Sequence, residues 1–224
     1  IKRLAREAQV WCQLNHPNVL PFLGLYILDS VPYLVSPWMD NGHALDFVQK
    51  NPEADCLRLL AQVAKGLEYL HKFKPNPVIH GDLRGPNIFI SQSGDACIAD
   101  FGLSELIAET YETNYSTPFI IAGHPRWQAP EIIAAATKEA ARRNTTTDAF
   151  SFGRVMLELL TKKIPFSDIT QDILIGFRVM SGEVPPRPLD NEVVARGLDD
   201  DMWELMMACW DPMPSRRPSA SDLV

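Results

Sequence analysis

The sequence has few cysteines and no long apolar segment. Its four cysteines are far apart, and no two stand in a CxxC spacing, so neither a zinc site nor a dense disulfide framework is expected. The longest apolar run, Val19 to Leu28, is ten residues and contains Pro21, which is too short to span a bilayer. These absences predict a reducing, cytoplasmic setting and no membrane insertion.

An excess of positive charge is also absent. The 21 Lys and Arg residues are outnumbered by 28 Asp and Glu, which gives a net charge of −7. A broad electrostatic contact with nucleic acid is therefore not expected. Apolar residues make up 46% and charged residues 22% of the 224 residues, as in globular domains, which excludes a wholly disordered or collagen-like chain. Nothing in the composition indicates the oligomeric state.

Hydrophobic periodicity predicts two helices and the strands in the first half of the chain. Helical spacing of apolar residues covers 1–15, and 55–71 is the clearest amphipathic helix. The turn-like Asp29-Ser30 separates a predicted strand pair, 19–28 and 33–35. Three short strands are then predicted, the last two joined as a hairpin: Val78–His80, Ile88–Ile90 and Cys97–Ala99.

Helices dominate the second half. Residues 149–161 are apolar nearly all round, which predicts a buried helix, and 200–209 is a further helix. Residues 134–147 are predicted to be an exposed insertion in which Arg143 belongs to a solvated face. Early strands followed by late helices predict an α+β fold in two parts.

Three oxygen-bearing side chains are predicted to meet near the hairpin. Asp82 and Asn87 lie five residues apart on the loop between two predicted strands, and Asp100 ends the hairpin. Two carboxylates and an amide oxygen suit Mg²⁺, which keeps waters and phosphate oxygens in the rest of its shell. Phosphoryl transfer needs such a metal and a carboxylate that orients the attacking hydroxyl, and Arg84 adds a cation for the phosphate.

The same residues resemble the motifs of protein kinases. The segment His80-Gly81-Asp82-Leu83-Arg84-Gly85-Pro86-Asn87 resembles the catalytic loop H-R-D-L-K-x-x-N, and Asp100-Phe101-Gly102 resembles D-F-G. Further matches follow in order: Ala129-Pro130-Glu131 (A-P-E), Asp148 to Gly153 (D-x-x-S-F-G), and Cys209-Trp210 with Arg217-Pro218. Glu7 ahead of His16-Pro17-Asn18 resembles the αC glutamate. The resemblance covers essentially the whole chain and is closest to the tyrosine-kinase-like group.

The resemblance implies one kinase-like domain over 1–224. Residues 1–36 would form a truncated N-lobe with the αC helix and strands, 37–39 the hinge, and 40–224 a mainly helical C-lobe. The implied activity is phosphoryl transfer from ATP, with Mg²⁺, to hydroxyls of a protein substrate in signalling. Group resemblance favours serine and threonine as acceptors and leaves tyrosine open.

The resemblance also implies a role for each matching residue. Asp82 would be the catalytic base, with Arg84 and Asn87 beside it, and Asn87 and Asp100 would ligate the metal. The ATP site would comprise Glu7, Ser36, Pro37, Met39, Phe89 and Asp100, with Ser36 as gatekeeper and the backbone of Pro37 and Met39 facing adenine. Structural roles would fall to His80, Phe101, Glu131, Asp148 and Arg217.

Two departures from the kinase pattern bear on activity. The 224 residues contain no Gly-rich phosphate loop and no following strand lysine; we expect both upstream of Ile1, and we expect residues 1–224 alone to be a poor catalyst. Gly81 replaces the arginine of H-R-D, which normally contacts a phosphorylated activation loop. Phosphorylation in that loop (Thr113, Tyr115, Ser116, Thr117) is therefore not expected to switch activity in the usual way.

Two alternatives remain open. The missing lysine and Gly81 suit a pseudokinase that serves as a binding module. The literal H-G-D-x-x-x-x-N pattern, formed by residues 80–87, also occurs in small-molecule phosphotransferases of the aminoglycoside type, although the later motifs are typical of protein kinases.

Overall fold

A computed structural model describes residues 2–101, 105–106 and 123–224. It has the predicted α+β character, with short strands early and helices late. The helices are α1 (Lys2–Trp11), α2 (Ala44–Lys50), α3 (Cys56–His71), α4 (Pro130–Ile133), α5 (Thr145–Thr161), α6 (Asp172–Met180), α7 (Asn191–Ala195) and α8 (Asp200–Cys209). The strands are β1 (Gly24–Leu28), β2 (Val31–Val35), β3 (Val78–Ile79), β4 (Ile88–Ile90), β5 (Ala96–Ile98) and β6 (Glu105–Leu106).

The first strand pair is a two-residue hairpin. Strands β1 and β2 pair antiparallel, with Gly24 opposite Val35. Asp29 and Ser30 have φ of 49° and 65°, the left-handed pair that gives tight hairpins the right twist. The predicted strand was too long at its start: Leu20 N–H donates to Ile98 O (2.8 Å), and Pro21 next to it has no N–H to contribute to a ladder.

The second hairpin, β4–β5, is as predicted to within one residue. Ile88 lies opposite Ile98 and Ile90 opposite Ala96. Helix α3 packs against β5, and Gly66 permits close contact there, since a Cβ on it would lie 2.6 Å from Asn18 O. Strand β3 pairs with β6, a contact that the sequence did not indicate.

Helix α5 lies at the centre of the core. Residues 147–160 are buried on every side, as the continuous apolar run predicts, and α8 packs against it. Asn144 caps the helix by accepting from the N–H groups of Thr146 and Thr147. The prediction of an exposed insertion over 134–147 was wrong at its end, because residues 145–147 begin α5 and Arg143 is only 3% exposed.

One apolar cluster joins the early and late parts of the chain. It contains Trp11 and Leu20 as well as buried residues of α3, α5 and α8. The division into lobes at residues 37–39 stays a prediction. None of the helices in the described ranges combines the length and apolar composition needed to cross a membrane.

Candidate active site

A buried carboxylate at the start of α5 fixes the predicted catalytic loop. Asp148 accepts hydrogen bonds from His80 N–H (2.9 Å), Gly81 N–H (2.8 Å) and His71 Nε2–H (2.9 Å). Gly81 has φ of 80°, in the region that glycine adopts without strain. Burial opposes ionisation, yet the hydrogen bond and charge of His71, the charge of His80 and the bond from Gly81 hold the pKa of Asp148 below its usual value. The loop is therefore attached to the core by an ionised group.

Asp82 stands at the surface of this loop with one oxygen already engaged. Its Oδ2 accepts from Asn87 Nδ2 (3.1 Å) and forms an ion pair with Arg84 Nε (3.3 Å). Its own N–H donates to His80 Nδ1 (3.3 Å). The Asp82 side chain is 13% exposed, and within the described ranges its Oδ1 has no donor. That oxygen is therefore placed to accept a proton from a group outside the protein.

Asn87 connects the loop to the end of the β4–β5 hairpin. It ends the 3₁₀ turn Gly85–Asn87, and its backbone O accepts from Ala99 N–H (2.9 Å). Its Nδ2 also donates to Asp82 O (2.9 Å). With Nδ2 turned towards Asp82, Oδ1 is the atom that can ligate a cation.

Asp100 follows Ala99 in an unusual backbone conformation. Its φ is 62° and it is exposed; non-glycine residues in this region carry strain of order 1 kcal/mol or more and cluster at functional sites. His80 Nε2–H donates to Ala99 O (2.9 Å) and the His80 ring contacts Phe101, so the loop contacts the residues on both sides of Asp100. The structure thus brings Asp82, Asn87 and Asp100 to one edge of the hairpin.

Phe101 joins this edge to helix α1. Its ring contacts the rings of His80 (centroids 5.5 Å apart) and Trp11 (5.8 Å). Glu7 lies one turn before Trp11 and is partly buried. Helix α1 is therefore positioned by contact with the segment that carries Asp100.

Four of the six predicted nucleotide-binding residues, Ser36, Pro37, Met39 and Phe89, lie on two neighbouring segments. Ser36 Oγ donates to Pro37 O (3.3 Å), and Met39 O accepts from Gly42 N–H (3.0 Å) in a turn. Phe89 lies in β4 between two buried isoleucines and is partly buried itself. Its backbone bridges to His43, just after residues 37–39, so this segment and the β4–β5 hairpin are connected.

Sequence reasoning missed a second buried carboxylate beneath the loop. Glu158 Oε2 accepts from Gly85 N–H (2.9 Å) and Trp127 Nε1–H (2.8 Å). Burial raises the pKa of Glu158 to about 7, against the opposing effect of both bonds and of Arg84. The guanidinium of Arg84 lies 6.0 Å from the Trp127 ring centre. The sequence did contain a signal: Glu158 is a charged residue inside the apolar run of α5, one helical turn after Arg154, which is also charged.

Glu131 and Arg217 form a two-pronged ion pair. Arg217 Nη1 and Nη2 donate to the two carboxylate oxygens of Glu131 (2.6 and 2.9 Å). The Arg217 side chain is fully buried, whereas Glu131 is 30% exposed. The pair joins the segment after residue 128 to the end of the chain.

The oxygen atoms of Asn87 and Asp100 suit a cation that is bound together with ligands from another molecule. Among the residues that the structure describes, no group of three or more His, Cys, Asp or Glu could hold a metal ion. Asn87 and Asp100 offer two hard oxygen ligands, which suits Mg²⁺ bound together with phosphate oxygens. Gly102 and the four hydroxyl residues at 113 and 115–117 lie outside the described residues.

Comparison with known proteins places the chain in a family. The model of the protein tyrosine and serine/threonine kinase family matches residues 1–224. The serine/threonine-protein kinase CTR1 of Arabidopsis thaliana is 28% identical over 100% of this chain and 26% of its own length. The serine/threonine-protein kinase TNNI3K of Mus musculus is 29% identical with the same coverage. A probable serine/threonine-protein kinase of Dictyostelium discoideum, pats1, is 33% identical over 97% of this chain and 6% of its own length.

The chain thus spans about a quarter of the length of the first two relatives. The family predicted from the ordered motifs is confirmed. This chain belongs to the protein tyrosine and serine/threonine kinase family.

Proposed function

We propose that the protein carrying this chain transfers the γ-phosphoryl group of ATP to serine and threonine hydroxyls of proteins. The observation that carries the proposal is the Asp82 carboxylate, held by Asn87 and Arg84 with one oxygen left available. The serine/threonine kinases among the relatives support the choice of acceptor.

In this proposal Asp82 orients the attacking hydroxyl and receives its proton through Oδ1. Arg84 lies within ion-pair distance of the same carboxylate and adds positive charge where phosphate oxygens arrive. Asn87 and Asp100 would hold Mg²⁺, which neutralises charge on the transferred phosphoryl group when it is bound. Asp148 and His80 keep the loop in place beneath these groups.

The nucleotide would lie between the hinge and the hairpin. The Pro37 carbonyl and the Met39 backbone would contact adenine, with Ser36 behind the ring, Phe89 beneath it and Glu7 on helix α1 above. Proline is compatible with this position because only its carbonyl is required. On this proposal 1–36 belong to the N-lobe and 40–224 to the C-lobe.

The test is the variant Asp82→Asn in the full-length protein, assayed with radiolabelled ATP and a generic protein substrate. The amide cannot accept the proton, so the rate should fall by about 10²–10⁴-fold while the thermal unfolding temperature is kept. Asp201→Asn, at an exposed position on α8, is the matched control and should keep full activity. Retained activity in Asp82→Asn would falsify the role given to Asp82.

The two alternatives give different results in the same assay. A binding module would show no phosphate transfer in the wild-type protein either, although it could still bind nucleotide or a partner. A small-molecule phosphotransferase would label an aminoglycoside and leave proteins unlabelled. The bidentate Glu131–Arg217 pair, formed by two motifs typical of protein kinases, supports the protein kinase over this second alternative.

A further inference from the structure

A cavity of about 280 Å³ opens between α5, α6 and the segment after α8. Buried residues form its floor, and exposed residues stand at its rim: Phe150, Arg154, Val179 and Trp210 below, Met180, Gly182, Glu183 and Pro212 above. None of residues 80–87 lines it, so it is separate from the candidate active site.

A guanidinium group with two nitrogens that lack hydrogen-bond partners among the described residues lies in this floor. Arg154 is 1% exposed, and its Nε and Nη1 have no acceptor among the residues that the structure describes. The guanidinium carbon lies 4.5 Å from the ring centre of Trp210 and 5.1 Å from those of Phe150 and Phe166. Aromatic rings stabilise the faces of the cation, but they leave its in-plane N–H groups unpaired.

The carboxylates around this cavity are already paired. Glu131 is bound by Arg217 (2.6 Å), and Glu183 at the rim by Arg178 (2.9 Å). Burial lowers the pKa of Arg154 to about 9, and no charged partner among the described residues offsets that effect. Arg154 therefore stays protonated at neutral pH and carries a buried charge without a counterion in the described ranges.

A purely structural role explains this arrangement poorly. Even a buried ion pair can often be replaced by apolar residues of similar volume without loss of stability, and Arg154 has no such partner among the described residues, so the aromatic surroundings alone give no reason for an arginine. Each buried donor left without an acceptor costs about 1–3 kcal/mol. Trp210 Nε1 also lacks an acceptor among the described residues, but that atom lies close to Gly153, which does not line the cavity. An acceptor that reaches the Arg154 N–H groups through the cavity would remove the cost at Arg154.

We propose that this cavity binds a small monocarboxylate with an apolar body, and that Arg154 is its anion-binding group. The planar guanidinium matches the two oxygens of a carboxylate better than an ammonium does. The remaining lining is mainly apolar, with Pro130, Val179, Val184 and Trp210, and suits a short hydrocarbon chain or ring. The volume is near the lower end for ligand pockets, which favours a body of a few carbons.

Hexanoate and its neutral amide test this proposal without any activity assay. Full-length protein is titrated with each compound and followed by calorimetry and by the thermal unfolding temperature. Hexanoate should bind saturably and raise the unfolding temperature, whereas hexanamide should bind at least about tenfold more weakly, because it lacks the charge that Arg154 pairs with. Equal binding of the two compounds, or no saturable binding of hexanoate below about 10 mM, overturns the proposal.

Two variants locate the site. Arg154→Met should fold, lose the preference for hexanoate over hexanamide and bind hexanoate at least about tenfold more weakly; Arg154→Lys, which keeps the charge without the fork, should lie between it and the wild type. Arg216→Met, at an exposed position, is the matched control and should bind as the wild type does. Unchanged hexanoate affinity in Arg154→Met overturns the assignment. If that variant does not fold, the comparison of hexanoate with hexanamide on wild-type protein tests the proposal.

Discussion

At the scale of single residues, two buried carboxylates on α5 hold the candidate catalytic loop from below. Asp148 receives the N–H groups at the start of the loop, and Glu158 receives that of Gly85 near its end. Their pKa values are shifted in opposite directions: against burial, the adjacent histidine helps to hold the pKa of Asp148 low, whereas burial raises the pKa of Glu158. The two groups therefore make opposite contributions to the pH dependence of stability.

Replacing Asp148 by asparagine should lower the free energy of unfolding by about 3 kcal/mol at pH 7, because three buried donors lose an ionised acceptor. Its folded-state pKa lies below that of an unfolded-chain aspartate, about 3.9. The wild type therefore keeps this contribution above about pH 4 and loses it as the pH falls through the lower pKa. Urea unfolding from pH 3 to 7 measures both effects.

The variant Asp148→Asn should show less acid destabilisation than the wild type. Asp201→Asn, at an exposed position, is the control and should change stability by less than about 0.5 kcal/mol. A loss under about 1 kcal/mol in Asp148→Asn at pH 7 would show that the loop does not depend on this anchor.

Glu158→Gln should change the pH dependence in the other direction. The folded-state pKa of Glu158 is about 7, above the unfolded value of about 4.3, so its contribution is fully present below about pH 4 and is lost as the pH rises to 7. Between these values the wild type should lose on the order of 2–3 kcal/mol relative to Glu158→Gln. Urea titrations at intervals of pH measure the difference. A difference that stays constant with pH would contradict the shift.

At the scale of helices and strands, sequence patterns predicted the elements whose residues lie close together in the chain. Helix α3 was predicted from the spacing of Val63, Leu67 and Leu70, and β4–β5 from the turn residues between two apolar runs. The predicted strands and hairpin also indicated that Asp82, Asn87 and Asp100 would lie at one edge. The hydrogen bond from Trp127 to Glu158 and the pairing of β3 with β6 join distant positions, and no periodicity carries that information. The burial of Arg143 was missed because a run of charges is the usual pattern of a solvated surface.

Two helical glycines provide a matched test of element packing. In α3, a Cβ at Gly66 would lie 2.6 Å from Asn18 O, a backbone atom, whereas in α6 a Cβ at Gly176 would have one neighbour within 4 Å among the described residues, 3.7 Å away. Gly66→Ala should therefore destabilise the protein by about 1–3 kcal/mol despite the better helix propensity of alanine. Gly176→Ala should stabilise it by about 0.5–1 kcal/mol. Chemical denaturation of both variants gives the two signs, and equal signs would contradict the close contact between α3 and the Asn18 segment.

At the scale of the whole molecule, the ends of the chain are tied to its centre. Trp11 contacts Phe101 near the start, and Arg217 donates to Thr146 O at the first turn of α5 (3.1 Å) near the end. The Glu131–Arg217 pair joins residues 86 positions apart. Phe101 in turn contacts His80, which Asp148 of α5 binds, and Arg217 contacts α5 directly, so we expect the described part of the chain to lose its structure in a single transition.

Glu131→Gln should cost about 3 kcal/mol, because it leaves the charge of Arg217 fully buried without a counterion. In Arg217→Met the remaining carboxylate, that of Glu131, is 30% exposed and keeps part of its hydration. The coupling energy between the two sites is measured with the double variant, which carries both substitutions. Its loss in stability should be smaller than the sum of the two single losses by about 1–2 kcal/mol. Urea unfolding followed by tryptophan fluorescence and by far-ultraviolet circular dichroism gives all four values and should show coincident transitions. Additive losses would show that the pair contributes no coupling, and separate transitions would show that the end of the chain unfolds independently of α5.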